Sequence, residues 1–197
     1  MSKVTIVNVG YRSTNYWVIS AGFSRLLVDI GWPGSLGMMR ANLARMDIPL
    51  QEMRDALATH YHIDHAGLGQ ELKLEGVPLL VIDLQVSAIP LMKTWIKPQD
   101  NYVEITTHDN ITISIPESRP FLEKIGISGE IVHTPGHSDD SVSLLLDDGS
   151  VFTGDLTRPE FISMEDAAIV TESWRVLREK GATRVYPGHG PIRQIDF

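Results

Sequence analysis

Apolar and polar positions along this chain fall into short runs with a period near two, broken by stretches with a helical period. Residues 4–9 are apolar and β-branched and predict a strand. Residues 16–19 and 25–30 predict two more, joined by a turn through Ser20, Ala21, Gly22 and Phe23. Between 36 and 46 the period changes. Leu36, Met39, Leu43 and Met46 recur at helical spacing. Residues 55–59 predict a short buried strand, 68–74 a helix stopped near Gly76 and Pro78, and 79–82 the next strand. Strands are expected at 111–115 and 130–133, then a hairpin of 141–146 and 150–153 around Asp147-Asp148-Gly149. Residues 165–180 carry Ala168, Ile169, Trp174 and Leu177 at helical spacing and end at Gly181. Residues 184–186 form the last predicted strand. Hairpins with interspersed helices imply an α/β (α+β) fold of sheets covered by helices, not a strictly alternating parallel sheet. Residues 84–110 contain Pro90, Trp95, Pro98 and Tyr102 and fit either a lid or a helix–loop connection. Trp95 and Tyr102 are candidates to line an apolar pocket, with ordinary packing as their expected role.

Composition narrows the classes. With 197 residues and 43% hydrophobic positions, one domain over 1–197 with a real core is expected. The absence of cysteine excludes disulfides, thiolate metal sites and a cysteine nucleophile. A net charge of −8 argues against nucleic acid as a partner. No apolar run is long enough to span a membrane, and the first six residues do not read as a leader. A cytoplasmic protein acting on a small molecule, with a homodimer as the default assembly, is the expectation.

The chemistry concentrates in histidine. Three of the seven histidines lie in Thr59-His60-Tyr61-His62-Ile63-Asp64-His65-Ala66-Gly67. In extended backbone His60 and His62 point to one side, and Asp64 continues that row. His65 joins them only if the chain turns there, with Asp64 near the start of the next helix. Four ligands from one loop would then face two adjacent ions. Three further segments end strands with a glycine before a ligand type: Pro135-Gly136-His137, Thr153-Gly154-Asp155 and Pro187-Gly188-His189. Each alone reads as a turn. Together they supply three more ligands at strand ends.

The set His60, His62, Asp64, His65, His137, Asp155 and His189 resembles that of the metallo-β-lactamase fold superfamily of metal hydrolases. Val28-Asp29-Ile30-Gly31 resembles its early strand-ending Asp-x-Gly, and Asn15-Tyr16-Trp17-Val18-Ile19 its early strand. The resemblance implies a four-layer αββα sandwich with two divalent metal ions at one edge. It implies that His60, His62 and His137 hold one ion, that Asp64, His65 and His189 hold the second, and that Asp155 bridges them. Asp29 is implied to orient a ligand histidine from behind. Such ligands suit zinc first, and also iron or manganese.

The resemblance also implies hydrolysis by a hydroxide bridging the two ions, with Asp64 as a catalytic proton relay. No Gly-x-Ser-x-Gly elbow offers another nucleophile. Without cysteine the set looks more like that of thioesterases, lactonases and phosphodiesterases than of many zinc β-lactamases. Only eight residues follow His189, so a helical substrate domain like that of hydroxyacylglutathione hydrolases is not expected. A small ester, thioester or lactone is the expected substrate. An iron-dependent sulfur dioxygenase or a phosphodiesterase is the alternative, and a vestigial binding protein is disfavoured by the complete ligand set. The di-iron reductases of the fold usually carry glutamate where His62 stands, so the resemblance favours hydrolysis. Arg158 is a candidate anchor for an anionic substrate group, with a solvated surface role as the alternative. His108 reads as loop and His133 as an ordinary strand histidine.

Overall fold

The computed structural model describes residues 4–22, 24–163 and 167–195. The first half supplies β1 (Thr5–Asn8), β2 (Trp17–Ala21), β3 (Ser24–Val28), α1 (Leu36–Arg45), β4 (Met53–Leu57), α2 (Ile63–Ala66), α3 (Gly69–Leu74), β5 (Leu79–Ile82) and β6 (Ile111–Ile113). The second supplies α4 (Ser118–Lys124), β7 (Gly129–His133), β8 (Val142–Leu146), β9 (Ser150–Gly154), α5 (Ala167–Glu179), β10 (Arg184–Pro187) and β11 (Arg193–Gln194).

Two sheets result. One has six strands in the order β1-β2-β3-β4-β5-β6, the other five in the order β11-β10-β9-β8-β7. In the first, β1, β2 and β3 are antiparallel and β3 to β6 run parallel. In the second, only β9 and β10 run parallel.

Strand alternation explains the layering. Trp17, Ile19, Leu26, Val28, Leu57, Leu80 and Ile82 of the first sheet share a core with Ile131, Val142, Leu144 and Phe152 of the second. That core lies between the sheets. The opposite face of the first sheet (Val18, Leu27, Ala56, Leu79, Val81) packs on Met39 and Leu43 of α1 and Leu72 of α3. The opposite face of the second (Val132, Leu145, Val151, Val185) packs on Val170, Trp174 and Leu177 of α5. The central strands β5, β8 and β9 are buried on both faces, as strands covered by a layer on each side are. The order of layers is helix, sheet, sheet, helix. Among the described residues no helix is long and apolar enough to cross a membrane.

The structure shifts several expected boundaries. Ser20 and Ala21 pair with Arg25 and Ser24, so the turn is tighter than expected and passes through Gly22 at φ 62°; Phe23 lies outside the described residues, as does the predicted helix start at Glu165. The strand expected at 55–59 is β4, two residues earlier, which leaves Thr59 in a loop. Two elements were not anticipated. α4 follows a turn in which Glu117 accepts hydrogen bonds from the Ser114 amide and hydroxyl at 2.8 and 2.6 Å. β11 is two residues long, too short for any periodic signal. Residues 84–110 are a docked connection of short 3₁₀ turns that buries Ile89, Met92 and Ile105 against the first sheet's outer core.

Candidate metal centre

β4 ends at Leu57, and the chain runs on through an extended His62 (φ −97°, ψ 160°) into α2. The turn demanded of His65 is the first turn of this short helix. The exit from β4 is held from three directions. Asp29, buried at the end of β3 with φ 62°, accepts hydrogen bonds from the Thr59 amide at 2.9 Å and hydroxyl at 2.8 Å. Its other oxygen lies 3.0 Å from His65 Nδ1. Aspartate tolerates the left-handed region better than most residues. The fully buried Gln85 donates to the carbonyls of Ala58, Thr59 and Asp140 at 3.1–3.2 Å. Asp140 in turn accepts from the Tyr61 amide at 2.7 Å. The histidine loop is thereby tied to the loop after β7, which carries His137.

The glycines before the remaining ligands are close-approach points. A Cβ at Gly188 would lie 2.6 Å from both Asp155 Oδ1 and His65 Cε1. At Gly136, φ is 137° and a Cβ would lie 2.5 Å from Val170 on α5. These strand ends fit only because the position before the ligand has no side chain.

All seven predicted ligands converge. Their donor atoms form three overlapping groups, each within 4.8 Å: His60, His62 and His137; His60, His65 and Asp155; Asp64, His65 and His189. Nε2 of His137 is 3.0 Å from His62 Nδ1 and 3.7 Å from Asp155 Oδ2. Nε2 of His189 is 3.2 Å from Asp64 Oδ2 and 3.4 Å from Asp155 Oδ2. Asp155 therefore stands between the two histidine groups.

The outer nitrogens of three histidines face non-ligand atoms. Nδ1 of His60 meets the Thr59 hydroxyl at 3.2 Å, Nδ1 of His65 meets Asp29, and Nδ1 of His189 meets the Ser13 carbonyl at 2.8 Å. Each arrangement turns Nε2 inward. Thr14, also buried, donates to Asp64 Oδ2 at 2.9 Å. Sequence reasoning missed Thr14, Thr59, Gln85 and Asp140. Their partners lie up to 79 positions away or depend on the exact register of an exit loop, so no local spacing reveals them.

A cation suits this donor set. His60 Nε2, His65 Nε2 and Asp155 Oδ1 are buried without a hydrogen bond, an arrangement that costs about 1–3 kcal/mol per group if nothing else satisfies it. Burial, then the neighbouring imidazoles, press the His60 pKa well below the usual histidine range. Burial lowers that of His137 as well. Both imidazoles are thus kept neutral, the state in which they ligate. His65 is also disfavoured as a cation by burial, but Asp29 and Asp155 overcome this and hold its pKa well above the usual range. Positive charge is welcome where His65 meets the carboxylates.

The other candidates separate clearly. His133 is exposed, with its ring 2.9 Å from the Asp139 carbonyl, and His108 is exposed beside Asp109 at 3.4 Å. Arg158 lines a cleft with His137, Asp155 and His189. Ordinary packing, the expected role of Trp95, is corrected in favour of the pocket-lining alternative: Trp95 is 78% exposed and lines a depression with Tyr61, His62, Asp64 and Met92. Ile89, Met92 and Trp95 are three apart along a 3₁₀ segment, and only the first two fall over the core. Tyr102 does pack, half-buried, with its hydroxyl accepting from the Ile105 amide at 3.2 Å.

The family model described as the metallo-beta-lactamase superfamily matches residues 9–189. A beta-lactamase-like protein 2 homolog of Caenorhabditis elegans is 26% identical over 185 residues, covering 92% of this chain and 57% of the relative. An atrochrysone carboxyl ACP thioesterase of Aspergillus chevalieri is 26% identical over 186 residues, covering 92% and 52%. The chain spans little more than half the length of these relatives. The solved structure of a metallo-beta-lactamase family protein from Thermus thermophilus superposes with a TM-score of 0.74 at 18% identity, covering 97% of this chain and 74% of that one.

Proposed function

This chain belongs to the metallo-beta-lactamase superfamily, and from that membership and its site we propose that it is a metal-dependent hydrolase acting on a small ester, thioester or lactone. The observation that carries the reading is the convergence of seven histidine and aspartate side chains, with the inner atoms of His60, His65 and Asp155 buried and unsatisfied. His60, His62 and His137 would hold one divalent ion, Asp64, His65 and His189 a second, and Asp155 both. Zinc fits the donors best, with iron or manganese as alternatives. A pair of such ions supplies Lewis acidity and water that loses its proton near neutral pH.

The chain's own groups do the rest. Asp64 Oδ2 is engaged by Thr14 and His189, which leaves Oδ1 to take the proton of the attacking water. Water oxygen bonds to the acyl carbon, the acyl–oxygen or acyl–sulfur bond breaks, and the proton passes to the departing alkoxide or thiolate. The products are a carboxylic acid and an alcohol or thiol. The depression beside His62 is walled by Trp95, Met92 and Tyr61 and suits an apolar acyl group. The thioesterase among the relatives makes thioesters the first class to test. A panel of acyl thioesters, lactones and phosphodiesters, assayed before and after chelation and after zinc is restored, tests the reading. Chelator-sensitive, zinc-restored cleavage of a thioester or lactone is expected. Full activity in metal-stripped protein would defeat it.

A further inference from the structure

Beside the metal centre, and sharing no residue with the depression that holds Trp95, a cleft of about 370 Å³ is lined by His137, Asp155 and His189 together with Arg158 and Arg193. Arg193 reaches it from β11, which pairs back onto β10 with Val185 opposite Arg193. Its guanidinium lies 5.2 Å from the Trp174 ring centre. Its Nε is fully enclosed and has no hydrogen-bond partner among the described residues. No described carboxylate stands within ion-pair distance of it, unlike Arg119 or Arg175 elsewhere on the surface. Arg158 lies over Phe161 at 5.1 Å, and its one carboxylate neighbour among the described residues, Glu160, is 3.5 Å away with both side chains more than half exposed. Such an exposed pair contributes little.

Two guanidiniums thus line one cleft; among the described residues its carboxylate, Asp155, belongs to the histidine cluster, and Glu160 is held only loosely by Arg158. Burial first, and then the charge of Arg158, work against the charge on Arg193 and lower its pKa. An arrangement that repels itself is stabilised by an anion placed between its members. Flat guanidiniums held on aromatic faces are already oriented for the paired oxygens of an oxyanion.

We infer that Arg158 and Arg193 form a subsite for an oxyanion carried by the substrate, a carboxylate or phosphate set a few bonds from the acyl carbon that meets the histidine cluster. The inference deepens the hydrolase reading and rests on it. It selects an acyl compound with an apolar acyl portion toward Trp95 and an anionic leaving group toward Arg193.

Two measurements decide it. The first compares two thioesters of the same acid on the zinc-loaded protein, one with a neutral N-acetylcysteamine leaving group and one with 3-mercaptopropionate. The carboxylate-bearing ester is expected to have the higher kcat/KM, chiefly through KM. In Arg193→Gln, and in Arg158→Gln, that preference falls about tenfold, the loss expected for one charge-assisted contact. Equal use of the two esters, or an unchanged preference in both variants, overturns the inference. The second measurement titrates metal-free full-length protein with inorganic phosphate, read by tryptophan fluorescence. Saturable binding is expected, weakened at least about tenfold in the double variant. No binding, or equal binding by the double variant, overturns it. Arg158→Gln, at an exposed position, repeats the comparison should the double variant not fold. If neither thioester is cleaved, the hydrolase reading fails while the phosphate titration still decides the subsite.

Discussion

A histidine ligand is useful to a metal only when its ring is aimed, and here the aim comes from atoms that touch no metal position. Asp29 holds both the Thr59 backbone and the His65 ring. Asp29→Asn keeps the shape and the tolerance of positive φ but replaces one acceptor with a donor. It is expected to weaken metal affinity about 10–100-fold, measured by competition with a chromophoric chelator. Unchanged affinity in a folded variant would show that Asp29 orients nothing. A second buried carboxyl lies outside the site. Asp55, 2% exposed in β4, is pushed up by burial from 3.8 to about 6. The folded state then binds the Asp55 proton more tightly than the unfolded chain does. Its contribution to stability falls as pH rises from about 4 through 6, and ionised Asp55 costs about 1–3 kcal/mol at pH 7. Asp55→Asn is therefore expected to raise stability at pH 7 by that amount, with the gain vanishing below about pH 4, as urea melts at both pH values would show. The converging side chains were legible in the sequence because His-x-His-x-Asp-His is dense and its chemistry narrow. Thr14 and Gln85 were not. Each is an ordinary polar residue whose role appears only when partners 26 to 55 positions away are brought beside it.

Each element delivers its ligand at an end, and the ends are where sequence periodicity says least. Hydrophobic alternation located most strands to within two residues, and β5 at its observed bounds. It could not show that β4 stops at Leu57, because the buried Ala58 and Thr59 continue the apolar pattern while Asp29 captures the Thr59 amide. β11, which carries Arg193, is shorter than any period. The Pro-Gly and Thr-Gly pairs did mark the right ends, for a reason the structure makes specific. Gly188→Ala places a methyl group against Asp155 and His65. It is expected to reduce bound metal well below that of the native chain in elemental analysis of folded protein; native metal content would contradict the close approach. Gln85→Met leaves three carbonyls with one fewer donor each and is expected to cost about 1–3 kcal/mol in denaturant melts. Loss of metal at native stability would instead place Gln85 in the site alone.

At the scale of the molecule, the centre is a seam. His60, His62, Asp64 and His65 follow a strand of the first sheet, whereas His137, Asp155 and His189 follow strands of the second. Ions bound between them would cross-link the two halves of the sandwich, so metal binding and global stability are linked. At metal concentrations about a hundredfold above Kd the gain is about 2.7 kcal/mol, which for a chain of this size raises the melting temperature by about 5–10 °C. Chelation should reverse it, and a melt indifferent to metal would break the link. The layered class was legible from hairpins mixed with helices, and the ligand resemblance added the sandwich. The docking of the connection over 84–110 was not legible, because Ile89, Met92 and Ile105 are bound to the core by contacts with no local period. The central claim is that two cations share these seven side chains. Anomalous diffraction from crystals grown with zinc tests it most directly. Two peaks about 3.5–4 Å apart, one against His60, His62 and His137 and the other against Asp64, His65 and His189, with Asp155 between, are the predicted result. A cluster without such peaks, or metal bound only elsewhere on the chain, would contradict it.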